Sequence, residues 1–87
     1  MTDEFNTIPG GTARAVLEYL ARELVDEPDD VSVDVSNGRP LRLTLRVAPN
    51  DVGRVIGRHG RTAQAIRAVT RAAAAREGAD VFVDIAD

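Results

Sequence analysis

Apolar positions follow two different periods along the chain. From Thr12 onward, Ala13, Val16, Leu17, Leu20 and Leu24 recur every three or four residues. That spacing predicts an amphipathic helix with Tyr19, Arg22, Glu23 and Asp26 toward water. Thr12 suits its cap, because a hydroxyl there accepts from a first-turn amide. Pro28 ends it, since proline disfavours helical geometry at the residue before. Beyond the acidic turn the period drops to two. Val31-Ser32-Val33-Asp34-Val35-Ser36 and Leu41-Arg42-Leu43-Thr44-Leu45-Arg46-Val47 alternate apolar with polar, as half-buried strands do. Asn37-Gly38 between them predicts a tight hairpin turn. Arg42 and Arg46 fall on the polar face, where Asp34 and Asp84 are the expected charge partners.

The helical period then returns. Pro49-Asn50-Asp51 opens a short helix carrying Val52, Val55 and Ile56, with Asp51 favourable at its positive end. Gly57 closes it. A longer helix spans Arg61 to Arg76, with Ala63, Ile66, Val69, Thr70 and Ala73 inward, and Gly78 stops it. Asp80-Val81-Phe82-Val83-Asp84-Ile85 alternates once more as a third strand, leaving Phe82 on the wet face under arginine stems or against a partner. The order helix, strand, strand, helix, helix, strand predicts an α+β, two-layer domain. Its three-stranded mixed sheet carries three helices on one face. Residues 1–11, ending in Pro9-Gly10-Gly11, lack periodicity and read as a flexible tail; residues 12–87 form a single domain.

Composition narrows the classes of function. With 87 residues there is room for one core, and with no cysteine there are no disulfides, thiolate nucleophiles or cysteine zinc sites. No apolar run approaches a membrane span and the start of the chain is acidic, so the cytoplasm is the expected location. The net charge of −3 is unevenly placed. From Val52 to Arg76 there are six arginines and no Asp or Glu, while most acids lie in the first half. The acidic cluster from Asp26 to Asp30 reads as a solvated turn, without the spacing of a calcium loop. No cofactor or metal is expected.

The arginine run overlaps Val55-Ile56-Gly57-Arg58-His59-Gly60-Arg61-Thr62. Two glycines three apart permit positive φ and close approach of another backbone. The first amides of the following helix, at its positive end, favour phosphate. Arg58 and Arg61 add charge, and Val55, Ile56 and Ile66 offer an apolar shelf. The same Gly-x-x-Gly also serves as a plain helix–helix turn. A nucleotide-triphosphate loop is excluded, because Val55 stands where its first glycine belongs and lysine is absent; a dinucleotide fingerprint fails at Val55 too.

The run Asp51-Val52-Gly53-Arg54-Val55-Ile56-Gly57-Arg58-His59-Gly60-Arg61-Thr62, continuing to Ala65-Ile66-Arg67, resembles the K-homology (KH) signature, and the element order over residues 12–86 resembles its type II, α-β-β-α-α-β arrangement. The chain is similar to small bacterial stand-alone KH proteins of the KhpA type. That resemblance implies a groove for about four unpaired nucleotides. Gly57, Arg58, His59 and Gly60 would form the backbone clamp, Val55 and Ile56 an aliphatic floor, and Arg61 and Arg54 outer phosphate contacts. It implies single-stranded RNA as ligand, an RNA-chaperone or post-transcriptional role, a homodimer, and a second KH protein of the KhpB type as partner. Ala63 stands where many KH domains have a large aliphatic, the Ser36–Pro40 segment is short, and aromatics are absent near the loop. All three imply weak, permissive binding.

Catalysis is not expected. His59 is the only histidine, no acid lies nearby in sequence to orient it, and no second ligand would hold a metal with it. No small-molecule substrate and no membrane contact are expected either. The competing reading is a protein–protein assembly or dimerisation module in which RNA contact is incidental, with Ala72–Ala75 and Phe82 as its surfaces.

Overall fold

A computed structural model describes residues 11–86 of the chain. Helix α1 (Gly11–Leu24) leads into strand β1 (Ser32–Ser36), which turns into β2 (Leu41–Arg46). Short helix α2 (Val52–Ile56) and long helix α3 (Arg61–Arg76) follow, and β3 (Val81–Ile85) closes the chain. Single turns of 3-10 helix precede β1, α2 and α3, at Pro28–Asp30, Pro49–Asp51 and Arg58–Gly60. The expected order holds throughout.

The sheet order is β1-β2-β3, with β1 antiparallel and β3 parallel to the central β2. A parallel neighbour demands a crossover, and α2 and α3 supply it. Ala13, Leu17 and Ala21 of α1, and Ile66 and Ala74 of α3, pack on Val33, Leu43, Leu45, Val81 and Val83 of the sheet's dry face. Charge pairing on the wet face follows the alternation. Arg46 bonds Asp34 at 2.8 Å, Arg42 meets Asp84 at 3.6 Å, and the Arg42 guanidinium lies 4.9 Å from the Phe82 ring centre. Both open edges are met by arginine from a helix: Arg14 Nε donates to Val33 O at 3.4 Å, and Arg67 Nε to Val83 O at 3.2 Å. Side chains that occupy edge carbonyls discourage further strand pairing.

Several local expectations are corrected. Of the expected tail, residues 1–10 lie outside the described residues, and Gly11 is already buried and helical. Thr12 is itself helical and does not cap α1. Asn37-Gly38 does not form the two-residue hairpin turn, which needs positive φ at both positions. Asn37 lacks it, and the last β1–β2 pair is Ser36 with Arg42. Pro40 has no N–H to give the ladder, and Leu41 N–H bonds Asp80 O of the other neighbour. Val69 is 49% exposed, because the buried stripe of α3 runs Ala63, Ile66, Thr70, Ala74 and leaves Val69 turned toward the α1 seam. Val35, also 42% exposed, lies on an edge strand with a neighbour on one side only.

Candidate nucleic-acid interface

The loop between α2 and α3 is built from three left-handed residues. Gly57 has φ 75° and ψ 174°, a combination essentially confined to glycine. A Cβ there would collide with the Thr62 side chain, falling on Oγ1 and 2.6 Å from its Cβ. Gly57 is thus required by the packing of α3 against the loop. Gly60, at φ 73°, is different: a Cβ on it would meet nothing within 4 Å. Its backbone faces open space. Between them His59 holds φ 57° and ψ 23°, which for a residue with a Cβ costs about 1 kcal/mol.

The hydrogen bonding of the turn corrects one expectation. Gly60 N–H donates to Gly57 O at 3.1 Å and Arg61 N–H to Arg58 O, so these two amides are paired within the turn. No side chain caps α3, and its positive end lies under the loop. Arg58, His59 and Arg61 are all exposed.

The arginines divide into two groups. Arg14 and Arg22 pair with Glu18, Arg42 with Asp84, Arg46 with Asp34, and Arg54 with Asp26 and Asp51. Arg58, Arg61, Arg71 and Arg76, on the loop and α3, have no carboxylate within 4.0 Å among the described residues. Arg39, between β1 and β2, and Arg67, whose Nε donates to Val83 O, also lack a carboxylate within 4.0 Å among the described residues; five of the six arginines without one lie on the loop and α3.

The candidate residues take unequal places. Gly57, Arg58, His59, Gly60 and Arg61 form one continuous surface. Ile56 is half-buried beside it, whereas Val55 is fully buried. Val55 has no surface to offer a base, and anchors α2 beneath the loop instead of flooring a groove. Arg54 is engaged with two carboxylates. Asp51, expected to act on the helix dipole, is 1% exposed and accepts the backbone N–H of Asp26 at 3.2 Å and of Glu27 at 3.0 Å. Two further features had weak sequence signals. Thr62 forms the wall against Gly57, and Arg67 bridges α3 to the open edge of β3. Behind Thr62 a shallow apolar groove of about 250 Å³ runs between α1 and α3, lined by Leu20, Leu24, Ala65, Ile66 and Val69.

A two-layer α-β-β-α-α-β domain with Gly-x-x-Gly between its crossover helices is a type II KH domain. Over residues 14–85 the chain matches the KH domain of KhpA/KhpB. It belongs to that family. The RNA-binding protein KhpA of Clostridium acetobutylicum is 48% identical over 73 residues, covering 83% of this chain and 97% of its own length. KhpA of Streptomyces coelicolor is 50% identical over 72 residues, 82% of this chain and 87% of the relative. Among solved structures, Era in complex with MgGDPNP and nucleotides 1506–1542 of 16S ribosomal RNA superposes with a TM-score of 0.62 at 19% identity, over 84% of this chain and 28% of that one. That likeness concerns the fold.

Proposed function

We propose that the chain binds single-stranded RNA without catalysing a reaction, using Gly57-Arg58-His59-Gly60 as a backbone clamp with Arg61 beside it. The observation that carries this reading is the division of the arginines, which leaves unpaired cations at the glycine loop and along α3. Gly60 offers close approach, and the positive end of α3 adds attraction for phosphate. The curated relatives are named RNA-binding proteins, in keeping with this role. With Val55 buried and no aromatic at the loop, base stacking contributes little, and binding is weak and broad in sequence. The protein acts as an RNA chaperone or post-transcriptional regulator in the cytoplasm. Among the described residues no helix is long and apolar enough to cross a membrane.

Salt titration tests the clamp. Engagement of two or three phosphates of a single strand predicts that log K falls against log salt with a slope of about −1.4 to −2.1. A slope near zero overturns the phosphate clamp and leaves protein assembly as the function.

The apolar groove between α1 and α3 supports an added role in assembly. Leu24 and Val69 on its walls are 40% and 49% exposed, which favours a homodimer or pairing with a second KH protein. Val69→Asp places a charge in that seam and is expected to convert a dimer to monomer at micromolar concentration. Sedimentation of the unsubstituted protein as a 9.3 kDa monomer throughout that range would remove the homodimer.

A further inference from the structure

We propose that Asp26 is a built-in competitor for RNA phosphate: it holds Arg54 in an ion pair that an incoming backbone phosphate replaces. This rests on the RNA reading above and concerns a residue just before the clamp.

The guanidinium of Arg54 has one edge, Nε with Nη2, that matches a carboxylate or phosphate in the forked geometry arginine favours. That edge is divided between two acids. Nε lies 3.2 Å from Asp51 Oδ1, and Nη2 donates to Asp26 Oδ2 at 2.8 Å. The two acids differ sharply in what holds them. The Asp51 side chain is 2% exposed and receives the backbone N–H of both Asp26 and Glu27. Removing it would leave two part-buried backbone donors without a partner, so Asp51 is a fixed support. The Asp26 side chain is 68% exposed and its bond is to Arg54, itself 53% exposed. An exposed pair of this kind is only slightly favourable, because water solvates both partners well.

Arg54 is therefore anchored at one nitrogen and exchangeable at the other. It sits on α2 immediately before the clamp, beside Gly53, whose carbonyl accepts the N–H of Gly57 at 2.9 Å. A phosphate that takes the place of Asp26 on Nη2 finds the arginine already aimed by Asp51. The carboxylate of Asp26 then returns to water. Polyanions engaging only Arg58, His59 and Arg61 leave the pair intact, while a strand that takes the Nε–Nη2 edge of Arg54 displaces Asp26 from it. The ion pair thus lowers affinity for every such strand by the strength of the pair it breaks.

The test uses a labelled single-stranded oligoribonucleotide pool of random sequence, with binding followed by fluorescence anisotropy across a salt series. Asp26→Asn leaves the backbone N–H that bonds Asp51 in place, so the thermal midpoint falls by no more than about 5 °C, the loss of one exposed pair. Affinity rises about threefold, the size expected for an exposed pair, while the log–log slope holds, because the strand that displaces Asp26 already places a phosphate on Arg54. On an Arg54→Gln background, where the slope is shallower by about 0.7 for the lost phosphate, the same substitution gives only the small gain of removing one acid. Asp29→Asn, an acid of the same turn with no ion pair, gives a smaller gain that Arg54→Gln does not remove. An unchanged affinity in Asp26→Asn, or the full threefold gain persisting without Arg54, overturns the competitor and points to general charge repulsion. Failure of the unsubstituted protein and of Asp26→Asn to bind the pool at all overturns the RNA reading itself, and the competitor with it.

Discussion

Replacing Arg58 and His59 together by aspartate is expected to lower affinity for single-stranded RNA roughly 100-fold without unfolding the protein. A charge-assisted hydrogen bond to phosphate contributes about 1.5–3 kcal/mol, and the exchange both removes such donors and adds repulsion. The fold has no reason to fail. Both side chains are exposed and neither takes part in a hydrogen bond or ion pair within the described residues. His59 occupies the left-handed region, which aspartate visits more readily than most residues. Negative charge at the start of α3 also suits the helix dipole, so thermal stability is expected to hold or rise slightly. Binding and stability then move in opposite directions. The measurement is anisotropy with an RNA pool beside circular dichroism and sedimentation. Retained affinity in a folded double variant would show that the glycine loop is a helix–helix turn and not a clamp.

Gly57→Ala is expected to cost about 3 kcal/mol of stability, the largest effect of any loop substitution. Two contributions combine. The backbone at φ 75° and ψ 174° is nearly closed to a residue with a Cβ, which alone costs about 1–3 kcal/mol. The new methyl would also strike Thr62 Oγ1, forcing the first turn of α3 to shift. For a domain of this size the thermal midpoint should fall by about 12–24 °C. Gly60→Ala supplies the contrast. Its Cβ enters open space, so only the left-handed backbone is penalised, by about 1–2 kcal/mol. Equal losses at the two glycines would contradict the packing of Thr62 against Gly57. Greater loss of RNA binding than of stability in Gly60→Ala would fit a backbone that a strand approaches closely.

Periodicity reveals most of the fold because burial on one face imposes it. Leu43, Leu45, Val81 and Val83 are buried, and Arg42, Arg46 and Phe82 lie on the opposite, wet face, as alternation requires. Cross-strand register then places Asp34 and Asp84 within reach of the arginines. Helical periodicity is less decisive, since a stripe one residue wide of the true one fits the same spacing. Val69 and Thr70 are adjacent on α3, and only the position of α1 settles which of them faces the core. Turn chemistry misleads at Asn37-Gly38, where Pro40 and the β3 neighbour set where pairing begins.

The glycine loop was legible for a related reason. Gly57 stands where the backbone admits little but glycine, Gly60 takes a left-handed φ, and a run of arginines without acids is visible along the chain. Which arginines remain unpaired is not. Arg54 and Asp26 are 28 residues apart, and Asp51 receives an N–H from 25 residues away. No local pattern links them.

Short-range preference and hydrophobic period are enough to set the type and order of the elements, the wet and dry faces of the sheet, and the place of the loop. Tertiary packing makes Val55 core and Asp51 a buried support, engages Arg54 while leaving Arg58 and Arg61 open, and turns Val69 into a groove wall. Those are outcomes of distances between segments remote in sequence, and charge and burial act through space rather than along the chain.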